Sequence, residues 1–301
     1  MKRRFLSLSV ALPLLVAAPC LAQDKQGTEF DFGQSMQSIM MAASANKYDE
    51  ALAVALEVLP QTQGLQRLQT LHLTIDLNRI NDRWAEVPAL VDEFHALYAE
   101  TTIPPGRDSW ATHIMSEKSA AAVKIENLDM ARDASEKALK LYKNIAESWA
   151  VGAKGEWVSK NTGQTCPILM RGHIRYDAYD EENGDTSCRY WDSNMMGGVS
   201  LTVYKTNIKD ADTAITYIVD KTKNSHELPP GGTVELSDVH ADVKSAIPSN
   251  NYTQGYGIKG RFPQDGLIIF SPEKGQLLNM TYTAGDHAWA VKSLGKIKQN
   301  L

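Results

Sequence analysis

The spacing of apolar side chains changes near residue 155. Before that point, apolar residues recur at intervals of three and four, in segments rich in Ala, Leu, Met, Glu and Gln with almost no glycine. Beyond it, apolar and polar residues alternate in short runs rich in Tyr, Thr, Val and Gly, which is typical of strands. The sequence therefore predicts antiparallel helical hairpins over residues 23–155 and an antiparallel sheet with two helices, an α+β layer fold, over residues 156–301.

Three segments of the first part begin with related phrases: "NKYDEALAVALEVLP" (46–60), "NDRWAEVPALVDEFHALY" (81–98) and "NLDMARDASEKALKLY" (127–142). Helices are predicted before them, at 33–44, 65–79 and 110–124. The phrases resemble the second helices of tetratricopeptide repeats, whose small residues let paired helices pack closely. Their intervals of 36 and 44 residues differ from the family's interval of about 34, and Val87 stands where the family has alanine. An unrelated bundle of helical hairpins is the alternative.

The resemblance to tetratricopeptide repeats also implies a concave groove, lined by the first helix of each repeat. Carried over to this sequence, it assigns the groove to Met36, Met40, Gln69, His72, Asp76, Arg79, His113, Ser116 and Lys124. One end of the groove would carry methionines, which adapt to varied side chains. Arg79 and Lys124 would hold a carboxylate, so the resemblance implies an extended peptide partner with an apolar anchor and a carboxylate.

The second part contains alternating runs that predict strands, and two amphipathic runs that predict helices at 210–224 and 286–299, capped by Asp210 and Asp286. The strands are predicted at 172–180, 186–193, 198–206, 255–262, 266–271 and 277–284. In element order this part resembles exported PsbP-like domains.

Cys166 and Cys188 admit three interpretations: a catalytic thiol, half of a metal site, or a disulfide. His173 is the only histidine between them, and zinc sites usually bring their ligands in close pairs. Two cysteines in one domain of an exported protein most simply form a disulfide, which the sequence predicts here. No metal and no cofactor are expected.

The first 22 residues have the parts of a secretory signal: basic Lys2, Arg3 and Arg4, an apolar run over 5–18, and small residues before Gln23. The sequence predicts cleavage after residue 22 and release into a bacterial periplasm; an uncleaved anchor and a lipid-modified Cys20 are the alternatives. Cleavage changes the net charge from −5 to −8. A negative chain without a long basic run is not expected to bind nucleic acid, and insertion into a membrane is not expected after cleavage.

An acidic run offers five carboxylates within nine residues: Asp177, Asp180, Glu181, Glu182 and Asp185. Carboxylates at such density suit calcium. The run lacks the D-x-D-x-D-G order of a calcium loop, so the sequence favours a solvated hairpin end over a calcium site.

Catalytic motifs are missing from the sequence: G-x-S-x-G, H-E-x-x-H and a phosphate-binding glycine loop do not occur. The S-x-x-K matches at 271–274 and 293–296 lack the K-T-G strand of penicillin-recognising enzymes. Trp84, Trp110 and Trp149 are predicted in helices, as core residues. The sequence therefore favours a non-catalytic periplasmic module that binds a protein or peptide through its repeats. The alternative is an envelope hydrolase with a site at the junction of the two parts.

Overall fold

A computed structural model describes residues 30–104, 110–142, 145–170, 173–180, 185–193, 198–224, 232–247, 251–259, 263–274 and 276–284, with Ala288, Ala290, Val291 and Leu294. The predicted signal segment, two residues of the acidic run (Glu181 and Glu182) and the predicted cap Asp286 lie outside these residues. Within them, the predicted fold is confirmed: helical hairpins precede antiparallel sheets with helices.

Six helices form three consecutive antiparallel hairpins, and each predicted helix is present within a few residues of its expected bounds. They are α1 (Phe32–Ser44), α2 (Tyr48–Val58), α3 (Gly64–Ile80), α4 (Val87–Glu100), α5 (Trp110–Lys124) and α6 (Leu128–Leu141). Alanines sit where the helices of a hairpin cross. Ala51 and Ala55 are fully buried between α1 and α2, and Ala131 and Ala138 are fully buried on α6.

The turn inside each hairpin has the same conformation. Asn46, Asp82 and Glu126 are left-handed, with φ of 57°, 54° and 60°. In each turn, the residue that follows donates its backbone N–H to the carbonyl five residues back, at 2.8–2.9 Å. This is the Schellman ending of a helix, which satisfies carbonyls that the last turn leaves unpaired. The three turns are 36 and 44 residues apart, so the repeat read from the sequence is also a structural repeat.

A small sheet of three short strands follows the hairpins, and the sequence did not predict it. Its strands are β1 (Trp149–Val151), β2 (Trp157–Ser159) and β3 (Thr165–Cys166). The helical assignment of Trp149 was wrong, although the residue is buried as expected. Strands of two or three residues are too short for alternation of apolar and polar side chains to be recognised.

The large sheet has eight strands, in the order β4-β5-β6-β7-β11-β10-β9-β8, and every neighbouring pair is antiparallel. The strands are β4 (Leu169–Met170), β5 (His173–Asp180), β6 (Thr186–Ser193), β7 (Gly198–Lys205), β8 (Thr233–Ser237), β9 (Tyr252–Lys259), β10 (Gln264–Ser271) and β11 (Gln276–Thr283). The sequence did not predict β4 or β8. Strand β8 is an edge strand with most of its residues exposed, so its sequence has no apolar face from which a strand could be predicted.

The two faces of the large sheet are covered by different elements. Helix α7 (Ala211–Asn224), capped by Asp210 as predicted, packs with Ile218 against Phe270 and other residues of one face. The short helix α8 (Ala241–Ser245) contributes Val243 to the core on the other face. That core continues into the helical hairpins, and side chains of both halves belong to it. Among the described residues, no helix is both long and apolar enough to cross a membrane.

Candidate functional site

The nine residues predicted to line the groove lie at three places. His72, Asp76, Arg79, His113 and Ser116 come together at the contact between the helical hairpins and the large sheet. Met36, Met40 and Gln69 are half-buried, and Lys124 is exposed at the end of α5. The five residues of the first group lie in the interior of the protein and not on an open groove.

The centre of that group is the guanidinium of Arg79 near the end of α3, where the side chain is 6% exposed. Three carboxylates surround it. Its nitrogens lie 3.6 Å from Asp76 Oδ1 on the same helix, 3.5 Å from Glu117 Oε2 on α5, and 3.4 Å from Asp192 Oδ1 on β6. A buried charge is tolerated only when it is paired, and here one cation is paired by carboxylates from three elements.

Helical and strand periodicity explain why these side chains converge. On α3, His72, Asp76 and Arg79 are spaced by four and three residues and therefore share one side of the helix. His113 and Glu117 are four residues apart on α5 in the same way. On β6, Asp192 lies on the same side of the sheet as Tyr190 and Cys188, because alternate residues of a strand face the same way. We call His72, Asp76, Arg79, His113, Glu117 and Asp192 the Arg79 cluster.

The ionisation of the Arg79 cluster follows from burial and mutual charge. Burial by itself lowers the pKa of Arg79, but the carboxylates of Glu117, Asp76 and Asp192 outweigh it and raise that pKa. Burial raises the pKa of Glu117 well above its usual range, and the charges of Asp76 and Asp192 raise it further against the opposing effect of Arg79. Glu117 therefore keeps its proton at pH values where an exposed glutamate has lost it.

The two histidines of the cluster face each other, with ring centroids 6.2 Å apart. His72 Nε2 lies 3.7 Å from Asp76 Oδ2, and His113 Nε2 lies 3.9 Å from Glu117 Oε1. Burial lowers the pKa of His113 to about 4, and the neighbouring His72 and Arg79 lower it as well. His113 is thus neutral at neutral pH.

The geometry of the cluster suits holding charge more than attacking a substrate. The hydroxyl of Ser116, which precedes Glu117 on α5, donates to the carbonyl of Thr112 within the same helix, at 3.2 Å. Within the part of the chain that the structure describes, no group of three or more His, Cys, Asp or Glu residues is arranged to hold a metal ion. The cluster is an electrostatic contact between α3, α5 and the large sheet.

A second contact between the halves is centred on Arg175 of β5, which is fully buried. Its guanidinium donates to the carbonyl of Cys166 at 2.7 Å and to Ser135 Oγ on α6 at 2.7 Å, and lies 3.9 Å above the ring of Trp157. The indole N–H of Trp157 in turn donates to the carbonyl of Ser135, at 3.2 Å. Burial lowers the pKa of Arg175 to about 9, which leaves it protonated at neutral pH.

The cysteines form the predicted disulfide. Cys166 of β3 is bonded to Cys188 of β6, with their Cα atoms 5.6 Å apart. The bond ties the small sheet to the large one beside the Arg175 contact.

The described carboxylates of the acidic run are engaged by the protein itself. Asp180 accepts hydrogen bonds from Ser159 Oγ in β2 at 2.8 Å and from Asn161 Nδ2 in the turn after β2 at 2.7 Å. Asp177 accepts one from the hydroxyl of Tyr179. The Asp180 bonds join β5 to the small sheet and the turn after β2, and the Asp177 bond lies within β5. Asp177 and Asp185 are buried, so these two carboxylates do not form the solvated hairpin end that the sequence favoured.

The first and last hairpins carry exposed side chains outside the Arg79 cluster. At the first hairpin, Met41 on α1 follows the half-buried Met40 and is 57% exposed, and Leu56 on α2 is 42% exposed. At the last hairpin, the ammonium of Lys124 lies 5.5 Å from the ring centroid of Trp84. This distance is within the range of a cation–π contact.

Sequence reasoning missed three charged residues of the two contacts: Glu117, Asp192 and Arg175. Glu117 follows His113 by four residues, and this spacing was a usable signal for a shared helix face. Asp192 and Arg175 carry no such signal, because their partners lie far away in the sequence. Comparison with known protein families, with characterised proteins and with solved structures finds no match to this chain, so its function is inferred from its own geometry.

Proposed function

We propose that this chain is exported to the periplasm and acts there without catalysis, binding a protein partner through the first hairpin of its helical repeats. Export is supported by the basic start and the apolar run within the first 22 residues. Binding through repeats is supported by three hairpins with the same turn, which extend the tetratricopeptide-like pattern of the sequence. The observation that carries the proposal is the exposed apolar surface of the first hairpin.

The middle of the inner face is closed to a partner in this arrangement. Arg79 is 6% exposed and is paired with Asp192 of the large sheet. A peptide carboxylate that reached Arg79 would have to displace Asp192. The parts of the predicted groove left for a partner are therefore the methionine end, with Met36 and Met40, and the exposed Lys124; we propose the methionine end as the binding site.

The first hairpin exposes two large apolar side chains, Met41 on α1 (57% exposed) and Leu56 on α2 (42% exposed). Apolar surface of this kind is typical of an interaction site, and methionine adapts to different partner shapes.

The charges around this surface indicate the chemistry of the partner. Asp49 and Glu57 on α2 are exposed and acidic, and the mature chain as a whole is expected to carry a net charge of −8. We therefore propose a protein segment with an apolar anchor flanked by basic side chains, since opposite charge favours encounter and register.

A photo-cross-linking amino acid at position 41 of the full-length protein, expressed in its own cells, tests this proposal. The matched control carries the same amino acid at Leu141 on α6, which is 43% exposed. We expect one dominant cross-linked partner from position 41 and none from position 141. A Met41→Glu variant should lose on the order of ten-fold in partner recovery, and Leu141→Glu should not. Cross-links only within the chain, or the same partners from both positions, would contradict the proposal.

A further inference from the structure

A pocket of about 410 Å³ lies between the large sheet and the segment that joins β8 to α8. Asp238, Val239 and His240 of that segment line the pocket, together with residues of β9, β10 and β11. Its volume is at the lower end of the range of small-molecule sites, about 300–1,000 Å³. A ligand of this pocket would therefore be small.

A glycine of β9 lets the joining segment approach the sheet closely. A Cβ atom at Gly255 would lie 2.9 Å from the carbonyl oxygens of Ser237 and Asp238. A larger residue at this position would push the segment away from the strands, whereas glycine allows the close approach. Gly255 therefore holds Asp238 and the start of the joining segment against β9.

Asp265 of β10 has a tyrosine on one side and open space on the other. It pairs with Tyr282 of β11 and with Gly257 of β9, and paired residues of neighbouring strands face the same side of a sheet. Tyr282 is buried, whereas a Cβ atom at Gly257 would meet no described atom within 4 Å. The half-buried carboxylate of Asp265 therefore has room for a ligand on the side of β9. A carboxylate accepts up to about four hydrogen bonds, so it can bind a ligand in addition to groups of the protein.

The described charges that line the pocket are mainly negative. Asp238 and Asp265 supply two carboxylates. His240 Nδ1 lies 3.8 Å from Asp242 Oδ2, so that carboxylate would balance a proton gained by the imidazole. Burial, followed by the charge of Asp265, raises the pKa of Tyr282 to about 12, so this tyrosine is uncharged at neutral pH. The pocket is therefore suited to a cation.

We propose that this pocket binds a small organic cation, namely a primary amine with a compact apolar body. The ammonium would donate hydrogen bonds to Asp265 from the open space beside Gly257, and Asp238 would add a second negative charge. The apolar body would contact Val239 and Leu267. All of these residues belong to the sheet half, so the inference does not depend on the proposed partner at the first hairpin.

Nuclear magnetic resonance of the purified, isotopically labelled protein at pH 7 tests this with three probes of similar shape. Benzylamine is a cation, benzyl alcohol is neutral and benzoate is an anion. We expect benzylamine to shift the amide signals of Gly255 and Gly266, which line the pocket, in a saturable way with a Kd of about 1 mM or lower. Benzyl alcohol should bind about ten-fold more weakly, and benzoate should not bind.

Two variants separate the effect of charge from that of shape. Asp265→Asn keeps the shape of the side chain, and it should weaken benzylamine binding about ten-fold and change benzyl alcohol binding by less than about two-fold. Gly257→Val places a side chain in the open space and should weaken both probes about ten-fold. The control Asp220→Asn changes an exposed carboxylate on α7 and should leave the Kd of both probes unchanged.

Asp238→Asn is the second charge variant if Asp265→Asn does not fold. Asp238 is exposed, so its replacement should leave the fold intact and weaken benzylamine binding about three-fold.

Three results would overturn the proposal. Benzylamine that causes no saturable shifts at ten times the expected Kd would show that the pocket does not bind amines. Equal affinities for benzylamine and benzyl alcohol would show that the pocket does not select a cation. Unchanged benzylamine binding in a folded Asp265→Asn or Asp238→Asn protein would show that these carboxylates do not hold the amine.

Discussion

The guanidinium of Arg79 on α3 lies 3.4 Å from the carboxylate of Asp192 on β6, although the two residues are separated by 113 positions in the chain. The pair joins the last buried turn of the second hairpin's first helix to the large sheet. Asp192 therefore lies beside Arg79, where the resemblance to tetratricopeptide repeats implied that a partner's carboxylate would bind.

The first prediction concerns the loss of this cation. Arg79→Ala leaves the carboxyl groups of Asp76, Glu117 and Asp192 in a buried space without their cation, and we expect the free energy of unfolding to fall by about 3–5 kcal/mol. Urea titration at pH 6 measures it. The control Arg132→Ala removes an arginine that is 56% exposed and pairs with Glu136 on the surface, so it should cost less than about 1 kcal/mol. An equal decrease in the free energy of unfolding for the two variants would show that the Arg79 cluster stabilises the fold no more than a surface ion pair does.

The second prediction concerns the left-handed turn of the last hairpin. Glu126 has φ of 60°, a conformation that glycine adopts without the steric cost of a Cβ atom. Glu126→Gly should therefore raise the free energy of unfolding by about 0.5–1 kcal/mol. Glu136→Gly, in the middle of α6, should lower it by about 1 kcal/mol. A destabilised Glu126→Gly protein would mean that the Glu126 side chain has a role not seen in its turn.

The third prediction concerns the disulfide between Cys166 and Cys188. Intact-mass analysis of the protein isolated from its own cells should detect no free thiol at Cys166 or Cys188 under non-reducing conditions. Cys188→Ala should lower the free energy of unfolding by roughly 3 kcal/mol, as should reduction of the original protein. Two alkylatable thiols in the folded protein would refute this.

The fourth prediction concerns the independence of the two halves. The change of pattern near residue 155 predicted separate folding, with a proteolytic boundary between 145 and 165. That boundary segment includes Trp157, which contacts Ser135 of α6 and Arg175 of β5. At pH 6 we therefore expect a single thermal transition, and fragments that stay associated after a cut there. Two separate transitions, or a stable free helical fragment, would support independent folding instead.

The sequence was sufficient to predict the elements in which apolar positions recur over several helical turns or along a long strand. Helices α1 to α6 were predicted because their apolar positions recur at helical spacing, and the β5–β6 hairpin because its residues alternate. Strands β1 to β3 were missed because they are too short to show a period. The tetratricopeptide resemblance remains a prediction.

The functional side chains were predicted less completely than the fold. His72, Asp76, Arg79 and His113 share a cluster because helical spacing places them on the inner side of α3 and α5. What covers that side is a strand from the other half of the chain. Asp192 sits in an alternating strand like many others, and nothing local distinguishes a surface carboxylate from the partner of a buried arginine.

A double-mutant cycle on Arg79 and Asp192 tests the central claim most directly, namely that this pair holds the large sheet on the helical hairpins. The free energies of unfolding of Arg79→Ala, Asp192→Ala and the double variant are measured by urea titration at pH 6. The structure predicts that the double variant is more stable than the sum of the single losses implies, by about 1–3 kcal/mol. Additive losses, within about 0.5 kcal/mol, would contradict it.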